Sequence, residues 1–132
     1  MTHAGAPADD LTISGDTELW RRIHPDFMTI DDSVEGGRRP SSGNFDENEM
    51  SAVIANECTG GLATLLRGHD GFGVAGFTVG AIRALGWGVV RAEQVDLPGH
   101  VVITGNTGKK NHKNRTTLAR SCRIILEPRF RP

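Results

Sequence analysis

The chain has 132 residues, with 15 Lys and Arg against 16 Asp and Glu and a formal net charge of −1 at pH 7. One domain of ~100–150 residues closes its own core, so neither metal nor disulfide staples are required. The near-neutral balance argues against a general nucleic-acid binder, which carries a distinctly basic face. No apolar run approaches the ~20 residues of a membrane-spanning helix.

Residues 1–16 are rich in Ala, Gly, Thr and Asp without periodicity and read as a flexible leader. They have neither the basic start nor the apolar centre of a secretory signal, so the expected location is the cytoplasm, with reduced thiols. A single domain is expected over residues 17–128, followed by a tail at 129–132. In "ELWRRI" the strand reading places Leu19, Arg21 and Ile23 on one face and Trp20 and Arg22 on the other. A short helix over Thr17–His24 is the other option, and Pro25 ends either. Met28–Glu49 is an irregular connection full of turn-forming Asp, Ser, Gly and Pro, unusually long for a compact domain.

"MSAVIA", Met50–Ala55, reads as a buried strand, and "TGGLATLL" as a helix capped by Thr59 with Leu62, Leu65 and Leu66 on one side. "RGHDGFG" reads as a glycine-rich turn. "FTVGAIRALGWG" gives the clearest helix signal: Thr78 as cap, a Val79, Ile82 and Leu85 stripe, and Gly86 at the left-handed exit. "WGVVRAEQV" and "HVVIT" flank a "DLPG" turn and read as a hairpin. "GNTGKKNHKNR" reads as a polar basic loop, "TTLARSC" as a short helix capped by Thr116 or Thr117, and "RIILE" as a last buried strand. The predicted class is α+β, a small single domain with a mainly antiparallel sheet and two or three short helices.

The functional candidates lie near the long connection. Arg21, Arg22, Arg38 and Arg39 carry guanidinium groups suited to paired hydrogen bonds with phosphate or carboxylate. Ser41 and Ser42 add hydroxyls, Gly36, Gly37 and Gly43 free backbone amides for an anion, and Phe45 a ring to stack on a base. The competing reading pairs Arg38 and Arg39 with Asp31, Asp32 and Glu35 on the surface, worth about 0–1 kcal/mol. His100, opening a strand after a Pro-Gly turn, is a candidate acid, base or donor, or else a histidine that satisfies a backbone carbonyl. Glu57 is a candidate for stabilising a cationic intermediate, or else a salt-bridge partner. Lys109–Arg115 holds four cations without aromatic residues, more in keeping with a solvated loop than a nucleic-acid surface. The spatial expectation is that Arg22 and Arg39, from opposite ends of the connection, converge on one concavity.

Cys58 and Cys122 stand far apart with no CxxC and read as small buried apolar residues, with a disulfide or catalytic thiol as the alternative. The five histidines, His3, His24, His69, His100 and His112, have no ligand spacing, so no metal site is expected. Walker, dinucleotide and G-x-S-x-G motifs are absent from the sequence.

The series "LWRRI", "RRPSSGNF", "MSAVIANE", "AIRALGW", "GHVVITGN" and "TLARSC" resembles a group of small bacterial proteins of unassigned function, across nearly all of residues 19–128. In layout the chain is also similar to RES-type and wider ADP-ribosyltransferase-like domains. That resemblance implies Arg22 as the early-strand arginine, Gly36–Arg39 as the glycine- and arginine-containing loop and Glu57 as the later glutamate. Two functions follow. One is a binding module that grips an anionic, nucleotide-like molecule or an acidic partner segment through Arg22, Arg38, Arg39, Ser41, Ser42 and Phe45, without a cofactor. The other is an NAD-cleaving transferase: Arg22 binds phosphate, Ser41 or Ser42 positions the ribose, Glu57 stabilises the oxocarbenium-like state and His100 assists. Oligomeric state stays open.

Overall fold

Side chains alternate in direction along the strand Glu18–Ile23, β1, which puts Leu19 and Ile23, wholly buried, on one face with Arg21, and Trp20 and Arg22 on the other. The structure, a computed structural model, describes residues 7–129. The further strands are β2 (Met28–Ile30), β3 (Arg38–Pro40), β4 (Met50–Ile54), β5 (Gly73–Thr78), β6 (Gly88–Arg91), β7 (His100–Thr104) and β8 (Arg123–Leu126). Three helices, α1 (Leu62–Leu65), α2 (Val79–Ala84) and α3 (His112–Ser121), complete the fold with short 3-10 turns. Six strands form one antiparallel sheet in the order β6-β7-β4-β1-β5-β8, and β2 pairs with β3 as a separate ribbon. The α+β class with a mainly antiparallel sheet is thereby shown.

Each face of the sheet carries its own core. On the first, Leu19, Ile23, Met50, Ala52, Ile54, Ala75, Phe77, Val101 and Ile103 meet Val79 and Ile82 of α2 and Leu118 and Ala119 of α3. On the second, Val53 and Val74 meet Leu65 of α1, Leu97 and Cys58, with Trp20 packed alongside. Both cysteines are free, with Cys58 in this second cluster and Cys122 half-buried against the first. Burial pushes the Cys122 thiol up to about 11, so it is protonated at neutral pH.

Several elements form as the sequence predicts. Thr78 caps α2 by accepting from the Ala81 amide at 3.1 Å, and Gly86 exits it with φ of 82°. The β6–β7 hairpin pairs Gly88 with Thr104 through to Arg91 with Val101. Others differ. β5 spans Val74–Gly76, which the sequence assigns to no element, together with the ends of the expected turn and helix, and its glycines hide it. A Cβ on Gly73 would stand 2.5 Å from the Leu126 carbonyl oxygen, a backbone atom, so the chain leaving β8 packs there only against glycine; one on Gly76 would meet the flexible end of Ile125 at 2.9 Å. α3 starts at His112, inside the expected basic loop, because Arg115 is turned inward. Its Nη1 donates to the carbonyls of Asn106 (2.9 Å) and Gly108 (2.8 Å). Thr116 and Thr117 are not caps; their hydroxyls donate back to the His112 and Lys113 carbonyls. α1 likewise begins after Gly61, not at Thr59.

The expected leader is docked from residue 7 on. The Asp9 carboxylate accepts from the Val89 amide (3.0 Å) and from Arg83 (2.9 Å), the Asp10 amide donates to the Val89 carbonyl (2.8 Å), and Ile13 enters the first core. Residues 1–6 of that leader and 130–132 of the tail lie outside the described residues. No helix among the described residues is long and apolar enough to cross a membrane.

Candidate functional site

β1 and β5 stay paired along all six residues of β1, whereas β1 and β4 pair only at Leu19–Ile54 and Trp20–Val53. Beyond Trp20 the sheet therefore splits, and Arg21 fills the split. Its Nε and Nη2 donate to the Asn44 carbonyl (3.1 and 2.8 Å), and its Nη1 donates to the Ser51 carbonyl (2.6 Å). The Ser51 carbonyl is a β4 acceptor left without a β1 partner by the split, and the Asn44 carbonyl belongs to the turn that precedes β4. On the second face Arg22 Nη1 donates to the Leu65 carbonyl at the end of α1 (3.0 Å). Two adjacent residues of one strand, which alternate in direction, thus deliver two cations to the same opening from its two sides.

The opening is a cleft of about 330 Å³, at the small end of ligand pockets, which run from ~300 Å³ upward. Trp20, Phe27 and Phe72 supply aromatic wall, with His24 and His69 beside them. His24 sits 5.2 Å from Phe27 and 5.0 Å from Phe72 between ring centres, and His69 sits 5.1 Å from Phe72. Among the described residues the one carboxylate lining the cleft is Glu47, bonded to Arg21 at 3.1 Å and 62% exposed. Burial lowers the pKa of both arginines from the ordinary value, with Glu47 opposing this at each. An arginine starts so high that both keep their charge at neutral pH. The cleft therefore brings two guanidinium groups and one carboxylate together with three aromatic side chains.

Ser51 lines this cleft from β4, and its hydroxyl lies 2.5 Å from His100 Nε2. The register explains the contact: Val53 faces His100 and Ser51 faces Val102, so Ser51 and His100 are diagonal neighbours on one face. His100 is 5% exposed, and its Nδ1 lies 2.7 Å from the Ala92 carbonyl oxygen. A carbonyl can only accept, so Nδ1 carries a proton, and in the neutral ring Nε2 is then the acceptor for the Ser51 hydroxyl.

The predicted residues are divided among different places. Arg22 lines the cleft described above, while Arg38 and Arg39 line another of about 480 Å³ with Arg120, Cys122 and Arg123. The expected single concavity is thus corrected to two, because β2 and β3 fold Arg39 back onto Asp31. Arg39 Nε donates to Asp31 Oδ2 at 2.7 Å, and Arg120 donates to the same oxygen at 3.1 Å. The hydroxyl of Ser33, followed by Arg39, holds the Asp31 carboxyl well below the usual carboxylate range. Phe45 is 0% exposed, with its ring edge-on to Phe77 at 6.2 Å, and is core where a stacking surface was expected. Ser41 accepts from the Asn44 side chain at 3.3 Å, and Ser42 opens the turn carrying Asn44; neither lines the Arg22 cleft. Glu57 is held by Arg91 through two bonds of 2.8 and 3.0 Å, which lower its pKa, and it too is outside that cleft. No group of His, Cys, Asp and Glu among the described residues is arranged to hold a metal.

Comparison with protein-family models, curated proteins and solved structures finds no match to this chain. Function is therefore read from the site alone. Ser51, Glu47, His69 and Phe72 were not picked out as site residues in the sequence reading. "MSAVI" carried one signal for Ser51: a lone hydroxyl at an inward position of an otherwise apolar strand. His69 and Phe72 were absorbed by the glycine-rich turn signature around them.

Proposed function

We propose that the chain is a small binding module whose β1–β4 cleft takes an anionic, ring-bearing ligand of mononucleotide size. The observation that carries this is the pairing of Arg21 and Arg22 beneath aromatic walls in one cleft. Arg21 is fixed by three backbone bonds and loses little freedom when an anion arrives, and Arg22 spends one of its five N–H donors on Leu65. The guanidinium plane, already desolvated, makes short charge-assisted bonds to phosphate. Trp20, Phe27 and Phe72 offer faces to a heterocycle, a contact worth ~1–3 kcal/mol per base. A ligand with ring and anion together fits better than either alone, and the modest volume favours a mononucleotide over a dinucleotide.

Calorimetric titration with adenosine 5′-monophosphate and with adenosine tests this. The monophosphate is expected to bind at least ~10-fold tighter, the equivalent of one charge-assisted bond of about 1.4 kcal/mol. Equal affinity for the two, or none for either, would remove the anion site from the reading.

A further inference from the structure

Beyond binding, the geometry points to covalent chemistry in the same cleft: we infer that Ser51 is a nucleophile activated by His100, and that the domain hydrolyses a small carboxylic ester carrying an anionic group. The inference rests on the cleft being the ligand site. Three observations carry it. The Ser51 hydroxyl lies 2.5 Å from His100 Nε2, within reach for proton transfer. The Ala92 carbonyl fixes the ring's tautomer from behind at 2.7 Å, the orienting part that a third residue plays in a nucleophile–base–orienter set. And the serine, half-buried, opens onto the cleft while the histidine is buried behind it, which keeps the base away from bulk water.

The sequence offers no nucleophile elbow at Ser51. The sheet presents it by another device: β4 leaves β1 just beyond Val53, so the strand end carrying Ser51 borders the opening. Arg22, on the same cleft, has N–H groups to spare for an oxyanion.

The chemistry closes with water alone. Ser51 Oγ attacks the ester carbonyl carbon while His100 Nε2 takes the hydroxyl proton. The tetrahedral adduct collapses, the carbon–oxygen bond to the alcohol breaks, and the alcohol departs with the proton from His100. Water then attacks the acyl-serine, giving one proton to His100, which returns it to Ser51 Oγ as the carboxylic acid leaves and loses its own proton to solvent. Nothing is oxidised or reduced.

The test uses an alkyl fluorophosphonate on the full chain, with the modified peptide located by mass spectrometry. Attack by Ser51 forms an oxygen–phosphorus bond, expels fluoride and passes the proton to His100. The expected result is one adduct, on Ser51, formed at least ~100-fold faster than in His100→Gln, the ordinary range for loss of a general base. Circular dichroism checks that variant's fold. His100→Asn, which keeps a donor near the Ala92 carbonyl, is the second variant. Saturating adenosine 5′-monophosphate is expected to slow the labelling. A wild-type chain that binds the monophosphate but gains no mass at Ser51 overturns the inference and leaves the binding site standing. Labelling of Ser51 that persists at the same rate in both folded His100 variants also overturns it. A labelled Ser51 in a chain without affinity for the monophosphate supports the nucleophile and counts against the proposed ligand.

Discussion

Phe45→Ala is expected to cost about 3–5 kcal/mol of stability, the range for truncating a fully buried phenylalanine. The ring has no solvent exposure and packs edge-on against Phe77 in the larger core. It also anchors the turn through which the long connection re-enters the sheet: its carbonyl accepts from Asn106, and the neighbouring Asn44 carbonyl receives Arg21. At roughly 3–4 °C of melting temperature per kcal/mol for a domain of this size, the loss amounts to about 9–20 °C. Thermal unfolding followed by circular dichroism measures it. A change below about 3 °C, with loss of nucleotide binding, would restore Phe45 to the ligand-stacking role that its place in "SSGNF" implied.

The second large effect concerns Arg22. Replacing it by Met keeps the apolar stem on the second face while deleting the charge, so stability changes little beyond the lost bond to the Leu65 carbonyl, about 0.5–1.5 kcal/mol. Affinity for adenosine 5′-monophosphate should fall by about 1.5–3 kcal/mol, roughly 10–150-fold, the worth of a hydrogen bond to a charged group. Arg39→Met, made for comparison, should leave that affinity alone, because Arg39 is committed to Asp31 and faces the other cleft. Equal losses in the two variants would return the site to the long connection.

These two predictions mark where the sequence was legible. α2 and the β6–β7 hairpin carry spacing strong enough to be read directly, and Thr78 and Gly86 bound α2 as local chemistry requires. β1 and β4 read as strands with a helix left open, and β8, expected to be buried, is an edge strand with no buried residue. β5 is hidden because backbone beside it demands glycine at position 73, and with a second glycine at 76 the strand signal is erased. β2 and β3 are three residues each, too short for a periodicity to show. Arg22 and His100 were visible as chemistry, since an arginine on a strand and a histidine after a Pro-Gly turn are conspicuous. Their partners were not. Ser51 meets His100 across 49 residues, and Arg21 meets Asn44 and Ser51 only because β4 departs from β1, which is a matter of register. Phe45 and Arg39 were misplaced for a common reason: residue type says what a side chain can bind, while the β2–β3 ribbon and the Asn44 turn decide which way it points.

The two tryptophans offer the most direct measurement, because they report on opposite sides of the molecule. Trp20 lines the cleft, its indole N–H donating to Glu18 at 3.0 Å, whereas Trp87 is buried in the first core with its N–H on Asn111 at 3.1 Å. Following both indole signals by ¹H–¹⁵N NMR during titration with adenosine 5′-monophosphate should move the Trp20 signal in a saturable way and leave Trp87 in place. A stationary Trp20, with saturable shifts instead in the amides around Arg38, Arg39 and Arg120, would contradict a ligand site in the split between β1 and β4.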